Sequence, residues 1–363
     1  MSEPLRLGVV GAGTISQIAH LPAAEIAPNV EVVALCDPRE GLLRAVAGRH
    51  HIPRGYASLD DLLADEAVEA VDLCVPTLAH DTLAAQALAA GRHVLCEKPM
   101  ATTVARARGM LAAADSAERR LMIGHHKRYD PGCEQAKTVL DAGRIGRPRL
   151  TTYLFGTGNW MGPAPRPPLV TDEPAPPWGY EYPPGVEGPR ARAYYESLLE
   201  MFTHITNLLR WLIGDPQWLL AAQPAEGPVR GTLTLGWGEG PDTQAFCVDG
   251  PHYAANAWNE VLTIWGDEGR LELTLPQNVY VGKPARVRLF EARTGADTLL
   301  PEEYGWAFAR EIEHFAEGIR GGTPFRTEGA DSLTDLIIAE AAAQAVTGVC
   351  ALPIRLDHTE AVP

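Results

Sequence analysis

Three short stretches of the 363-residue chain carry reactive side chains at spacings that chemistry can use. The first, GVVGAGTISQIAH, sets Gly11, Gly13 and Ser16 in the G-x-G-x-x-G/A pattern, with serine in the third position. A first glycine permits a tight turn, a second lets backbone amides approach a pyrophosphate at a helix N-terminus, and a small third residue allows close helix–strand packing. The second stretch, VVALCDP, ends a strand pattern on Asp37, about twenty residues beyond the glycines. A carboxylate there accepts from adenosine ribose hydroxyls and repels a 2′-phosphate, so NAD is expected ahead of NADP, with Arg39 near enough to soften the preference. The third, VLCEKPM, ends an apolar strand on Glu97, Lys98 and Pro99. Ligands of open parallel sheets bind at the carboxyl ends of strands, and a lysine partly desolvated there can donate or relay the proton of a substrate hydroxyl. Pro99 fixes its own φ and restricts Lys98 toward extended backbone.

The elements that position these groups follow from hydrophobic spacing. Continuous apolar runs at Leu5–Val10, Val30–Cys36, Ala70–Val75, His93–Cys96 and Leu121–Gly124 alternate with helical patterns at Thr14–Ile26, Glu40–His50, His80–Ala90 and Val104–Ala117. Unbroken apolar strands joined by helices predict a doubly wound parallel sheet, an α/β Rossmann domain over residues 1–125. Beyond it the pattern changes. One helix at Pro131–Ala142 leads to strands at Leu150–Phe155, Val229–Trp237, Gln244–Val248, Val261–Trp265, Arg270–Leu275 and Arg286–Glu291 with no helix between the later ones. Helices at Tyr194–Ile213, Glu303–Arg320 and Gly329–Gly348 flank them, so residues 126–363 predict an α+β domain with a large, mostly antiparallel open sheet. Residues 162–189 hold ten of the thirty prolines, which excludes regular structure and suggests a lid over the substrate or an arm onto a neighbouring subunit.

Bulk properties bound the function. A formal net charge of −15 argues against a nucleic-acid or anionic-membrane surface. The start MSEPLRLGVVG lacks a basic segment followed by a long apolar one, and no run approaches a membrane span, so a cytoplasmic protein is expected. Six scattered cysteines form no CxxC pair and read as buried thiols, with no metal site expected.

GAGTIS, VPTLAH, CEKP and HHKRYDPG, with GDEGRLEL and the closing EIEHFAEGIRGGTPFRT, resemble the glucose–fructose oxidoreductase/inositol dehydrogenase (Gfo/Idh/MocA) family over essentially the whole chain. The resemblance implies that Lys98 sits where substrate meets nicotinamide, with a cis bond at Pro99 common in the family. It places Gly11, Gly13, Thr14, Ile15, Asp37, Pro76, Thr77, His80, Glu97 and Lys98 around the cofactor. In the helix Tyr194–Ile213, Glu200, His204 and Asn207 share one face and resemble the family's Asp-x-x-x-His-x-x-Asp pattern. The resemblance makes His204 the general base and Glu200 its acidic companion. Two departures matter: Glu200 reaches one C–C bond further than aspartate, ~1.5 Å, and Asn207 cannot be a base. Arg128, Tyr153, Trp160, Tyr182 and Asn207 are the expected substrate contacts.

The implied activity is hydride transfer between NAD and a secondary alcohol or ketone of a sugar, cyclitol or glycoside, in a homodimer or homotetramer. Two alternatives keep the cofactor: transient oxidation that permits epimerisation, elimination or glycosidic cleavage, and a regulator that binds NAD without turnover.

Overall fold

The computed structural model describes residues 3–157, 166–225, 230–240, 242–251, 258–277 and 279–357. These divide into two compact units. The first comprises Met1–His126 with two later segments, Ala164–Glu181 and Phe308–Leu333. The second comprises Lys127–Pro163, Tyr182–Ala307 and Thr334–Pro363. A single cut at residue 125 therefore misses two returns of the chain to the first unit.

In the first unit the strands β1 (Leu5–Val10), β2 (Val30–Cys36), β3 (Arg54–Tyr56), β4 (Ala70–Leu73), β5 (His93–Glu97) and β6 (Leu121–Gly124) form one parallel sheet in the order β3-β2-β1-β4-β5-β6. The order reverses between β1 and β4, the point where such sheets open a ligand crevice. Leu5, Leu7, Val9, Val71, Leu73, Val94, Leu95 and Ile123 are buried, as expected for strands covered on both faces. The connecting helices are α1 (Leu21–Ile26), α2 (Glu40–Arg49), α3 (Leu59–Leu63), α4 (His80–Ala89) and α5 (Val104–Ala117). Local signals set their ends: Thr103 caps α5 by accepting the Arg106 N–H, and Glu118 closes it in the left-handed region. A π-turn at Ser16–His20 precedes α1, an irregularity that helical spacing did not announce.

The second unit is built on β7 (Pro148–Thr157) and α6 (Pro131–Asp141) before it. Then come α7 (Pro189–Ser197), a π-turn at Leu198–Phe202, α8 (Thr203–Ile213), β8 (Trp218–Pro224), β9 (Gly231–Trp237) and β10 (Thr243–Pro251). The chain continues through β11 (Asn259–Gly266), β12 (Gly269–Leu275), β13 (Arg286–Glu291) and β14 (Ala296–Leu299); α9 (Ala307–Gly321), all but its first residue, and the start of α10 (Gly329–Val346) belong to the first unit, and the rest of α10 and β15 (Ile354–Arg355) to the second. The nine strands run β14-β13-β12-β11-β7-β10-β9-β8-β15. Every pairing is antiparallel except β7 with β10, so the sheet is mostly antiparallel as expected. β8, with its WLLAAQP sequence, and the wholly exposed β14 were not anticipated, because neither presents a clean apolar alternation. No described helix is long and apolar enough to cross a membrane.

Asp130 ties this unit together. One carboxylate oxygen accepts from Gly132 and Cys133 at the start of α6 and from the Ala285 N–H beside β13. Asp130→Ala removes a helix cap and leaves a buried N–H unpaired. It is expected to cost the second unit about 2–3 kcal/mol, read as a lower midpoint in urea unfolding; an unchanged midpoint contradicts this role.

Candidate functional site

The glycine turn opens onto a cavity of about 440 Å³ in the first unit. Gly11 adopts φ +99°, and a Cβ there would lie 2.3 Å from the Cys74 carbonyl oxygen, so only glycine lets β1 and β4 approach this closely. At Gly13 a Cβ would meet nothing within 4 Å, because that position faces open space on the cavity wall. Thr14, Ile15, Asp37, Arg39, Val75 and Pro76 also line the cavity. This is the form of a pyrophosphate cradle: free backbone at a switch point, with small residues where a ligand must come close.

Asp37 is buried beside that cradle. Its Oδ2 accepts from the Ala12 N–H at 2.8 Å and from Arg39 Nη2 at 2.7 Å, and its Oδ1 accepts from Arg39 N and Nε at 2.9 and 2.8 Å. Burial pushes the carboxyl up, but these hydrogen bonds, led by the guanidinium, outweigh it and hold it below the usual carboxylate range. Arg39 thus binds the acid beside the glycine turn through both its carboxylate oxygens.

The proline-rich segment has partners in the first unit. Its described residues up to Gly188 lack helix and strand, as their prolines require, and Pro189 opens α7; residues 166–181 pack in the first unit. Gln17 and Leu169 exchange two hydrogen bonds, Nε2 to O at 3.0 Å and N to Oε1 at 2.8 Å. Glu173 accepts the Gly41 and Leu42 N–H groups at the start of α2, each at 3.0 Å, and Arg49 donates to the Pro167 carbonyl. So strapped, the segment sets Ala175, Pro176 and Trp178 into the cavity wall. It thereby forms part of the cavity's lining.

At the end of β5, Lys98 is half-buried and the Lys98–Pro99 peptide is cis. Glu97 does not turn outward to a ligand. Its Oε2 accepts the Lys98 backbone N–H at 2.9 Å and its Oε1 meets His20 Nε2 at 2.9 Å. Burial alone would raise Glu97; the hydrogen bond and charge of His20, then Lys98 and His126, hold it low. His80 is likewise structural: its ring nitrogens face the Pro99 and Val75 carbonyls at 2.7 and 3.0 Å, joining the ends of β4 and β5. Thr77 lies buried on a short turn ahead of α4 and outside the cavity lining.

In the second unit, Glu200 falls inside the π-turn and His204 in the α-helix that follows, so the even helical face read from the sequence is interrupted between them. Both are half-buried, and the His204 ring lies 6.0 Å from that of Phe155. Asn207 is committed elsewhere: its Nδ2 donates to Asp335 at 2.7 Å, where Arg210 also binds. Arg128 is buried and donates to the Asn207 carbonyl through Nε and Nη2. Tyr153 is buried with its hydroxyl on Glu260, which also pairs with Lys127, so it packs in the core and offers no stacking face. Tyr182 donates to Glu196 with the Arg192 guanidinium 4.7 Å over its ring. Trp160 lies outside the described residues. These contacts tie Asn207 and Tyr153 to partners within their own unit.

Sequence reading missed His20, Asp72 and Glu311, and it did not connect Trp178 with the nucleotide. The signal for Asp72 was present: an acid inside the apolar run AVDLCV demands a buried partner.

A parallel sheet with a glycine-lined cavity at its switch point, in a chain that also carries an open, mostly antiparallel sheet, has the form of a dinucleotide-binding α/β unit followed by an α+β unit. Residues 5–125 match the oxidoreductase family with an NAD-binding Rossmann fold. The inositol 2-dehydrogenase of Rhizobium meliloti (strain 1021) is similar at 25% identity over 352 residues, 94% of this chain and 97% of its own. An oxidoreductase from Agrobacterium radiobacter, solved with NAD+, L-tartaric acid and magnesium, shares the fold with a TM-score of 0.75 at 18% identity, over 97% of this chain and 98% of its own. A 3-ketoreductase from Actinomadura kijaniata, solved with NADP and TDP-benzene, does so with a TM-score of 0.72 at 22% identity, over 93% and 97%. Residues 5–125 thus carry the NAD-binding domain of the Gfo/Idh/MocA oxidoreductases, and the chain is similar to an inositol 2-dehydrogenase of that kind along nearly its whole length.

The lining position of Trp178 carries a prediction. Trp178→Ala is expected to weaken NAD binding about tenfold, the worth of an aromatic contact plus its buried area, measured by calorimetry. Unchanged affinity would remove the segment from the cofactor site.

Proposed function

We propose that the protein is an NAD-dependent dehydrogenase that interconverts a secondary alcohol and ketone of a sugar, cyclitol or glycoside. The observation that carries this reading is the lysine at the carboxyl end of β5, in the same unit as the glycine-lined cavity and its ribose-selecting acid. The residues fit a dinucleotide: Gly13 leaves the cradle open, Gly11 permits its turn, and Asp37 provides the acceptor for a ribose hydroxyl. Bound nicotinamide supplies the hydride acceptor or donor.

The chain supplies the rest. We assign the handling of the reacting hydroxyl to His204 and Lys98. His204 takes the proton from its oxygen as base, and Lys98 Nζ holds the oxygen by hydrogen bond and steadies its developing charge. Glu200, half-buried one turn before His204, is its acidic companion. The similarity to an inositol 2-dehydrogenase supports a polyol as substrate.

Two outcomes test the reading. With NAD and a panel of myo-inositol, aldoses and glycosides, wild type is expected to form NADH, and Lys98→Ala and His204→Ala are each expected to lose about 10²–10⁴-fold in kcat. Variants that turn over as wild type retire the assignments. For cofactor choice, Asp37 must exchange Arg39 for the ribose. Arg39→Ala is therefore expected to raise the NAD over NADP ratio of kcat/KM by about tenfold, the worth of one charge-assisted contact; a lower ratio would show that Asp37 does not select the ribose.

A further inference from the structure

The motif EIEHFAEGIRGGTPFRT contributes to the family resemblance, yet nothing in the proposed reaction uses it. Its first residue, Glu311, returns to the first unit and is completely buried. Neither carboxyl oxygen of Glu311 has a partner among the described residues. The groups whose charges act on it are Glu97, His20 and Asp72. These three form a chain of their own. His20 Nδ1 lies 2.8 Å from Asp72 Oδ2, and His20 Nε2 lies 2.9 Å from Glu97 Oε1. All three are buried, and the Cys74 thiol sits beside His20 and Asp72. Phe308 meets the His20 imidazole in an edge contact with ring centres 5.5 Å apart, and the His126 ring stacks on Phe308 at 4.3 Å.

We propose that His20 is a positioning residue for Lys98: held between Asp72 and Glu97, its ring fixes the carboxylate that in turn receives the Lys98 backbone N–H. The chain of contacts is continuous, from Asp72 in β4 through His20 to Glu97 in β5 and on to the Lys98 amide. A histidine facing a carboxylate at each nitrogen donates from both only as the imidazolium, so one positive charge bridges two negative ones. Burying such a set gains little stability over apolar packing, and the chain ends at the lysine on the sheet's carboxyl edge. Burial opposes the charge on His20, but Asp72, followed by Cys74, raises it well above the ordinary histidine range. Glu311 completes the arrangement: burial, then the charge of Glu97, pushes its carboxyl well above the usual range, against the pull of His20. The groups facing His20 are thus Asp72 and Cys74 near β4, Glu97 at the end of β5 and Glu311 in α9. Lys98 and His126 complete the charged surroundings of Glu97.

The inference rests on the reading of Lys98 as a reacting group, and the experiment separates the two. For myo-inositol, or whichever alcohol of the same panel turns over, kcat is measured for wild type, His20→Gln, Lys98→Ala and the double variant. Asp72→Asn, which does not touch Lys98, stands in should His20→Gln fail to fold. His20→Gln is expected to lower kcat about tenfold while leaving the Kd for NAD within about twofold, and to cost less than about twofold once Lys98 is alanine. Equal losses in both backgrounds, or a loss carried by NAD affinity, overturn the positioning role alone. Full activity in Lys98→Ala overturns the reading of Lys98, and the inference falls with it. A second readout needs no substrate, because the chain has four lysines. After ¹³C-dimethylation, the Lys98 resonance, assigned by its loss in Lys98→Arg, is expected to move in His20→Gln while the other three stay in place. A stationary Lys98 resonance overturns the proposal.

Discussion

The first unit depends on a contact that admits no side chain. At Gly11 the backbone passes so close to the Cys74 carbonyl that a Cβ would lie 2.3 Å from its oxygen. This approach lets β1 end against β4 where the strand order reverses, and the cavity opens there. The consequences spread along the sheet edge. Asp37 leaves β2 at the same level and takes the Ala12 N–H, which fixes the loop beside the glycine. Glu97 ends β5 and takes the Lys98 N–H, which fixes the backbone of the lysine at the strand's carboxyl end. Each acid binds backbone first, and so each group that a ligand would meet is set before any ligand arrives.

Much of this was legible because it is local. The glycine pattern, the acid twenty residues on and the EKP strand end are all short-range features with a mechanical reason for each residue, and the parallel sheet followed from apolar runs separated by helices. The strands of the second unit were read from the same kind of signal where alternation was clean, as in β12, and missed where it was not, as in β8 and β14. Sequence spacing also treated Tyr194–Ile213 as one even helix, whereas a π-turn at Leu198–Phe202 changes the angle between Glu200 and His204. A π-turn stands in the same way at Ser16–His20, after the glycine loop. Period alone does not reveal such a turn, because its cause lies in packing around it.

What stayed hidden was long-range polar pairing. Asn207 reads as a helical site residue until Asp335, 128 positions later, takes its amide. Tyr153 reads as a stacking ring until Glu260 takes its hydroxyl. Glu97 reads as a ligand contact until His20 and the next backbone amide account for both its oxygens. The proline-rich segment followed the same logic. Its composition excluded helix and strand, but its partners (Gln17, Gly41, Leu42 and Arg49) are more than a hundred residues away, and they hold it to the nucleotide unit. A buried polar group states that a partner exists without saying which.

The central claim is that the carboxyl edge of the parallel sheet holds a dinucleotide with its reactive end at Lys98. The most direct measurement is a crystal structure of the protein with NAD. The account predicts pyrophosphate against the backbone of Gly11–Ile15, an adenosine ribose hydroxyl on Asp37 in place of the Arg39 guanidinium, and the nicotinamide ring beside Lys98. A nucleotide bound with its nicotinamide directed away from Lys98, or a ribose that leaves Asp37 untouched, would contradict it.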